Sequence, residues 1–245
     1  MTWRPPGLSA LPSLSCLFFG RGEEPRPDPL TLLPRIAPDA SSSPLVTLRQ
    51  VHSSRCVNVG PTGAPGESSR SPVRHDAGEG DALVTRERGV FLGIATADCL
   101  PLVAVDDQAG AVAVIHAGWR GTLAGVLETT LTMMIRDHGA AKERIRVAAG
   151  PAAGSCCYEV GAEVIEAFRS RRPKHANQAI RPSSDGRCTL DLLEANRAQA
   201  QELGVARDHI TSVKVCTICS PAVCHSYRRE GALAGRMWLL AGLTA

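Results

Sequence analysis

Between Ala82 and Trp119 the chain carries four consecutive hydrophobic runs, ALVT, VFLGIATADC, PLVAVDD and AVAVIHAGW, separated by charged or Gly-containing turns. Short apolar runs bounded by turn residues are the pattern of fully buried strands, so these four are expected at the centre of a sheet core. Directly afterwards Leu123, Val126, Leu127, Leu131, Met134 and Ile135 recur at intervals of three and four, and the pattern stops at His138-Gly139. This spacing predicts a helix from about Thr122. Further strands are expected at 14–21, 45–52, 55–59, 145–151 and 209–218, and amphipathic helices at 159–171 and 191–204. The segment 60–80, rich in Pro, Gly and Ser, reads as a long loop. Because the strands cluster instead of alternating strictly with helices, the expected fold is α/β, a mixed-sheet layered sandwich in a single domain. Residues 1–44, rich in proline, are expected as a loosely structured segment with one strand, and residues 45–245 as the functional domain.

With 245 residues and 44% hydrophobic content, the chain can build a large core, and no linker forces it into two domains. The 27 basic and 24 acidic side chains leave a net charge of +3, which gives no electrostatic footprint for nucleic acid or an anionic membrane. All but three of the basic residues are Arg, an excess that a compositional bias explains more simply than phosphate recognition. No run approaches the roughly 18 apolar residues of a membrane span, and Leu14 to Phe19 is too short for a signal core. Nine cysteines, unevenly placed and including the adjacent pair Cys156 and Cys157, do not form a secreted disulfide framework. A cytoplasmic protein with reduced thiols is expected.

Three residues stand where strands leave the core. Cys99 follows Asp98 and precedes Pro101 at the end of one run, His116 ends the next, and His52 ends RQVH at 49–52, with Gln50 on the same strand face. Each has an ordinary reading, a small buried thiol or a core imidazole. As a set, His52, Cys99 and His116 supply two imidazoles and a thiolate, a suitable shell for Zn²⁺ with one position open for water. Their spacings of 47 and 17 residues match no compact zinc motif, so the set is permitted without being demonstrated. The sequence AGWRG after His116 offers backbone N–H groups for an anion. Cys216, Cys219, Cys224 and His225 begin as a CxxC, but the short gap to Cys224 and the missing second CxxC argue against a complete structural zinc site. Cys156 and Cys157 read as packing and turn residues. Arg228, Arg229 and Arg236 are either anion contacts or solvated surface arginines.

The strings RQVH at 49–52, EGDALVT at 79–85, ATADCLP at 95–101, HAGWRG at 116–121, GPAAGSCCYEVG at 150–161, LDLLEANRAQ at 190–199 and SYRREG at 226–231 occur in that order. Together they resemble the laccase-domain family, first described as multi-copper polyphenol oxidoreductases and then as zinc-dependent purine nucleoside enzymes. The resemblance runs from about Leu45 to Gly242. It implies phosphorolysis of purine nucleosides with deamination of adenosine, Zn²⁺ as cofactor with copper as the alternative, and inorganic phosphate as co-substrate. By the same resemblance His52, Cys99 and His116 would be the metal-binding and catalytic residues, and Asp98 a pocket acid or a holder of neighbouring groups. Arg49, Gln50, Arg120 and Arg228 would contact substrate, Arg49 through phosphate. Three segments depart from the family pattern: FFGRGEEPRP at 18–27 lacks a glycine pair, GPAAGSCCYEVG at 150–161 lacks the commoner Ile before Gly, and CHSYRR at 224–229 replaces two aromatics. The implied partner is a small-molecule nucleoside, not nucleic acid or a membrane. A Cys/His hydrolase editing peptidoglycan precursors, a copper-dependent polyphenol oxidase and a metal- or thiol-sensing regulator are the alternatives.

Overall fold

The computed structural model describes residues 1–22, 24–38, 43–61, 73–182 and 186–244. In chain order its strands are β1 (Thr2–Trp3), β2 (Leu14–Phe19), β3 (Leu45–Arg49), β4 (Cys56–Val59), β5 (Arg74–Glu79), β6 (Ala82–Thr85), β7 (Phe91–Thr96), β8 (Leu100–Asp106) and β9 (Ala111–Ala117). They continue with β10 (Arg146–Ala149), β11 (Glu159–Val160), β12 (Ile180–Pro182), β13 (Cys188–Leu190), β14 (Ile210–Ser212) and β15 (Met237–Leu243). The helices are α1 (Pro29–Leu32), α2 (Trp119–Ala124), α3 (Val126–His138), α4 (Ala162–Arg171), α5 (Pro173–Ala179), α6 (Leu192–Glu202) and α7 (Tyr227–Glu230).

Two six-stranded mixed sheets, ordered β1-β2-β15-β7-β3-β5 and β14-β10-β8-β9-β6-β4, stack face to face, and β11-β13-β12 forms a small third sheet. The hydrophobic runs of 82–119 are β6 to β9, divided between the two large sheets. On β6, β8 and β9, Leu83, Val103, Val105, Val112 and Val114 point toward Phe18, Leu92, Ile94 and Leu239 of the facing sheet. Their neighbours Ala82, Val84, Leu102, Ala104, Ala113 and Ile115 point the other way, onto Leu127, Leu131 and Met134 of α3, Phe168 of α4 and Leu192 of α6. Successive side chains point to opposite faces and both faces are covered, which is why these strands read as unbroken apolar runs. The fold is therefore an α/β layered sandwich in one domain.

The structure differs from the sequence reading at several places, and it adds β1, β12, β13, α1, α5, α7 and the central strand β15, which that reading did not include. Arg74–Glu79, inside the expected loop 60–80, is a strand pairing parallel with β3. It is an edge strand whose sequence RHDAGE carries no apolar alternation, so periodicity gave no signal. The middle of that expected loop, 62–72, lies outside the described residues. The helix expected from Thr122 to His138 is two, divided at Gly125, whose φ of 82° closes α2 and opens α3. The helix expected from residue 159 starts at Ala162, because Glu159 and Val160 pair with β13. The strand expected to reach residue 218 stops at Ser212, ahead of Lys214 with its φ of 53°. Residues 1–44 contribute β1 and β2, and β2 pairs with β15 over six residues. Among the described residues no helix is long and apolar enough to cross a membrane.

Candidate active site

Three strand ends of the two large sheets converge, and each is bent there by a specific interaction. After β3, the Gln50 side chain donates to the Ala95 carbonyl (2.8 Å) and accepts from the Ala95 N–H (2.9 Å), stitching the chain to β7. The backbone then enters the left-handed region at His52 (φ 59°), an unfavourable conformation for a non-glycine residue. Asp81, fully buried, holds it there. Its carboxylate accepts from the N–H groups of Val51 (3.3 Å), His52 (3.0 Å) and Ser53 (2.5 Å) and from the Ser53 hydroxyl (2.8 Å).

The same carboxylate lies 2.8 Å from Nδ1 of His116 on β9. One buried Asp therefore fixes the His116 ring through Nδ1 and the His52 turn through its backbone, and leaves Nε2 as the His116 nitrogen not engaged by the carboxylate. Between β7 and β8 the chain turns through Asp98 (φ 92°), which aims Cys99 at the two histidines. Asp98 accepts from the Thr217 hydroxyl (2.5 Å), the Ser226 hydroxyl (3.0 Å) and the Arg228 N–H (2.7 Å). Its carboxylate thus faces the C-terminal segment and fixes the Cys99 turn from behind.

One ligand atom from each of His52, Cys99 and His116 lies within 4.8 Å of the others. Cys99 Sγ is 4.0 Å from His52 Nε2, and the two imidazole rings meet edge to face with centroids 5.0 Å apart. Gly118 of HAGWRG makes room: a Cβ there would lie 2.8 Å from Cys99 Sγ and 3.2 Å from His52 Cδ2. Burial alone would push the Cys99 thiol up, but the hydrogen bonds and charge of His116, and then of His52, bring it down to about 6. For His116, burial opposes the charged form, and the bonds to Asp81 and Cys99 overcome it and push the imidazole up to about 9. Burial also works against the Asp81 charge, yet the bonds from His116 and Ser53 hold it below the usual carboxylate range. A thiolate and two imidazoles, with a carboxylate behind one of them, suit a zinc-class ion with one coordination position left open.

The trio lines a cleft of about 610 Å³ together with Gln50, Asp98, Trp119, Arg120, Tyr158, Tyr227, Arg228 and Arg236. Arg120 lies over the Trp119 ring (4.3 Å) and Arg228 over the Tyr158 ring (5.4 Å), so the walls combine flat apolar faces with positive charge. Of the residues singled out in the sequence, His52, Cys99, His116, Asp98, Gln50, Arg120, Arg228 and Arg236 come together here. Arg49 is not among the lining residues: it pairs with Glu79 and its side chain is 70% exposed. Arg229 donates to the carbonyls of Thr217, Ile218 and Cys224 instead of reaching the cleft. Sequence reasoning missed Asp81, Trp119 and Tyr158. For Asp81 a signal existed, since EGDALVT places an acid directly before a strand buried on both faces, where it needs a partner.

Cys224 is buried and His225 faces Glu230 at 3.4 Å, so neither joins Cys216 and Cys219. The thiols that do are Cys156 and Cys157, completing a group of four within 4.8 Å.

A family model described as multi-copper polyphenol oxidoreductase laccase matches residues 34–244. The chain belongs to this family. Adenosine deaminase RL5, from an unknown prokaryotic organism, is 42% identical over 156 residues, which are 64% of this chain and 59% of that protein. The match therefore spans less than two thirds of that relative's length. A purine nucleoside phosphorylase of Deinococcus radiodurans is 36% identical over 245 residues, 99% of this chain and 87% of the relative. The crystal structure of YlmD from Geobacillus stearothermophilus superimposes with a TM-score of 0.82 at 28% identity, covering 100% of this chain and 97% of that one.

Proposed function

We propose that this laccase-family chain is a zinc-dependent purine nucleoside phosphorylase that also deaminates adenosine. Adenosine and inosine would be its main substrates, guanosine and methylthioadenosine further ones, and inorganic phosphate the co-substrate. The observation that carries the reading is the placement of His52, Cys99 and His116, backed by Asp81, on a cleft whose other walls are aromatic and cationic. Relatives named for both activities support it.

When bound, zinc would supply Lewis acidity, bringing the pKa of a coordinated water toward about 7. The chain's own residues do the rest. Asp81 fixes the His116 ring and the His52 turn, so the ligand nitrogens are oriented before substrate arrives. Trp119 and Tyr158 offer flat faces for a purine. Burial pushes the Tyr158 phenol up to about 12, so it remains a hydrogen-bond donor at neutral pH. Arg120, Arg228 and Arg236 line the cleft and take the phosphate role expected of Arg49. In phosphorolysis a phosphate oxygen bonds to ribose C1′ while the bond from C1′ to the purine nitrogen breaks, the electron pair leaving with the base. Holding the two reactants together and stabilising the departing base lower the barrier. Asp98 acts here as a positioning residue for Cys99. The modest net charge and unpaired thiols fit a small-molecule enzyme of the cytoplasm.

Mass-spectrometric analysis of products from adenosine, with and without phosphate, tests the proposal. Adenine with ribose 1-phosphate only in the presence of phosphate, and inosine in its absence, are the expected products of zinc-loaded protein. The absence of both products would overturn the reading. The approach of Cys99 Sγ to His52 Nε2 at 4.0 Å also favours a second reading, a Cys/His hydrolase of peptidoglycan precursors. Hydrolysis that survives chelation would support that alternative. The polyphenol oxidase reading has only two imidazoles in this group, few for a multi-copper cluster, and requires phenol oxidation by the copper-loaded protein.

A further inference from the structure

We propose that Cys156, Cys157, Cys216 and Cys219 form a second, closed metal centre for a zinc-class divalent ion, which pins the turn after β10 to the turn after β14. The Sγ atoms all lie within 4.8 Å of one another, Cys156 and Cys219 at 3.6 Å and Cys157 and Cys219 at 2.8 Å. A tetrahedral ion with metal–sulfur bonds near 2.3 Å separates its ligands by about 3.8 Å, so the four thiols need shift by only about 1 Å or less.

The backbone prepares the group. Ala152 and Cys216 form a parallel bridge, in which the Thr217 N–H donates to the Ala152 carbonyl at 2.9 Å. Gly154 N–H donates to Cys216 Sγ at 3.3 Å, a bond that favours the thiolate. A Cβ at Gly154 would meet Cys216 Cβ at 3.2 Å and Cys156 Sγ at 3.3 Å, so a glycine lets the two turns close around the sulfurs. Packing does not explain these thiols: Cys156 and Cys219 are exposed, whereas cysteines used as small hydrophobes are buried, as Cys16 and Cys224 are. Soft thiolate donors select zinc-class ions over magnesium or calcium, and four protein ligands leave no position for water or substrate. Loading would release one proton for each thiol that is deprotonated, and the complex with four thiolates carries a charge of −2. Arg229, anchored on the carbonyls of Thr217 and Ile218, places positive charge beside it. The consequence for the cleft is mechanical. Tyr158 follows Cys157 directly, and Thr217, next to Cys216, holds Asp98 behind Cys99.

The test is metal content per chain of protein purified under reducing conditions, together with the absorption of its cobalt-substituted form. Wild type should hold two equivalents of zinc. The Cys156→Ser/Cys219→Ser variant should hold one, and Cys99→Ala should hold one and keep an intense thiolate-to-cobalt charge-transfer band. Zinc X-ray absorption on Cys99→Ala reads the same question without altering the cluster: four sulfur neighbours near 2.3 Å are expected. The proposal is overturned if Cys99→Ala binds no metal, if its zinc has mixed nitrogen and oxygen neighbours, or if the double variant keeps two equivalents. A Cys157–Cys219 disulfide in place of metal would also overturn it. Loss of nucleoside turnover has no bearing on these readouts, so this centre and the proposed function can fail separately.

Discussion

Among the described residues, the two clusters of potential metal ligands are built on opposite plans. His52, Cys99 and His116 come from three separate strand ends, sit on a cleft, and number three. Cys156, Cys157, Cys216 and Cys219 come from two turns tied by one backbone bridge, lie partly exposed, and number four. The first group is held by a carboxylate that also satisfies a left-handed turn, so its geometry persists without an ion. The second is held mainly by backbone contacts and has its close thiols still to be spread. An open three-donor group on rigid strands suits chemistry, and a closed four-donor group between turns suits structure.

The largest effect that separates them is on turnover. Cys99→Ala should remove it, a loss beyond about 100-fold, while circular dichroism stays unchanged; Cys219→Ser should lower the melting temperature and leave kcat within a few-fold. Equal kcat losses in the two variants would erase the distinction. Next comes Asp81→Asn, expected to weaken zinc affinity or activity by about 10- to 100-fold, as for other carboxylates behind metal-ligating histidines. Zinc affinity measured by competition with a chelating dye checks this, and wild-type affinity would remove Asp81 from the site.

A smaller effect concerns metal-free protein. The Cys99 thiol is lowered from 9.0 to about 6, so its contribution to stability is present above pH 9 and lost as pH falls through about 6. The His116 imidazole is raised from 6.5 to about 9, so its contribution is present below pH 6.5 and lost as pH rises through about 9. The melting temperature of the apo-protein should therefore be highest between about pH 6 and about pH 9. A profile without that maximum would contradict the ion pair, and bound zinc should flatten the profile.

The same contrast explains what was readable in the sequence. β6 to β9 were legible because burial on both faces leaves long apolar runs, whereas β5 (RHDAGE) is an edge strand held by its backbone and left no pattern. His52, Cys99 and His116 were legible as residues at strand ends, where a chain leaves the core and its side chains can face a cleft. Asp81 was overlooked because its function is to accept hydrogen bonds from residues about 30 positions away, a relation that no local period records. The four-thiol cluster was hidden for a related reason: Cys157 and Cys219 are 62 residues apart, and the parallel pairing of β10 with β14, continued by the bridge between Ala152 and Cys216, brings their turns together. The neighbours in sequence, Cys224 and His225, turn away, one buried and the other facing Glu230.

The smallest predicted effect asks whether the clusters communicate. Thr217 lies between Cys216 and Cys219 in sequence and donates to Asp98 at 2.5 Å, and Asp98 precedes Cys99 in a turn with φ of 92°. Thr217→Val keeps the shape and removes the hydroxyl, leaving Asp98 two of its three donors. A charged hydrogen bond of this kind contributes about 1.5–3 kcal/mol, less where the remaining donors compensate. If the four-thiol centre steadies the cleft through this bond, Cys219→Ser should raise KM in the wild-type background and much less once Thr217→Val has cut the connection. Effects that simply add in the double variant would mean that the thiols hold their turns without reaching the active site.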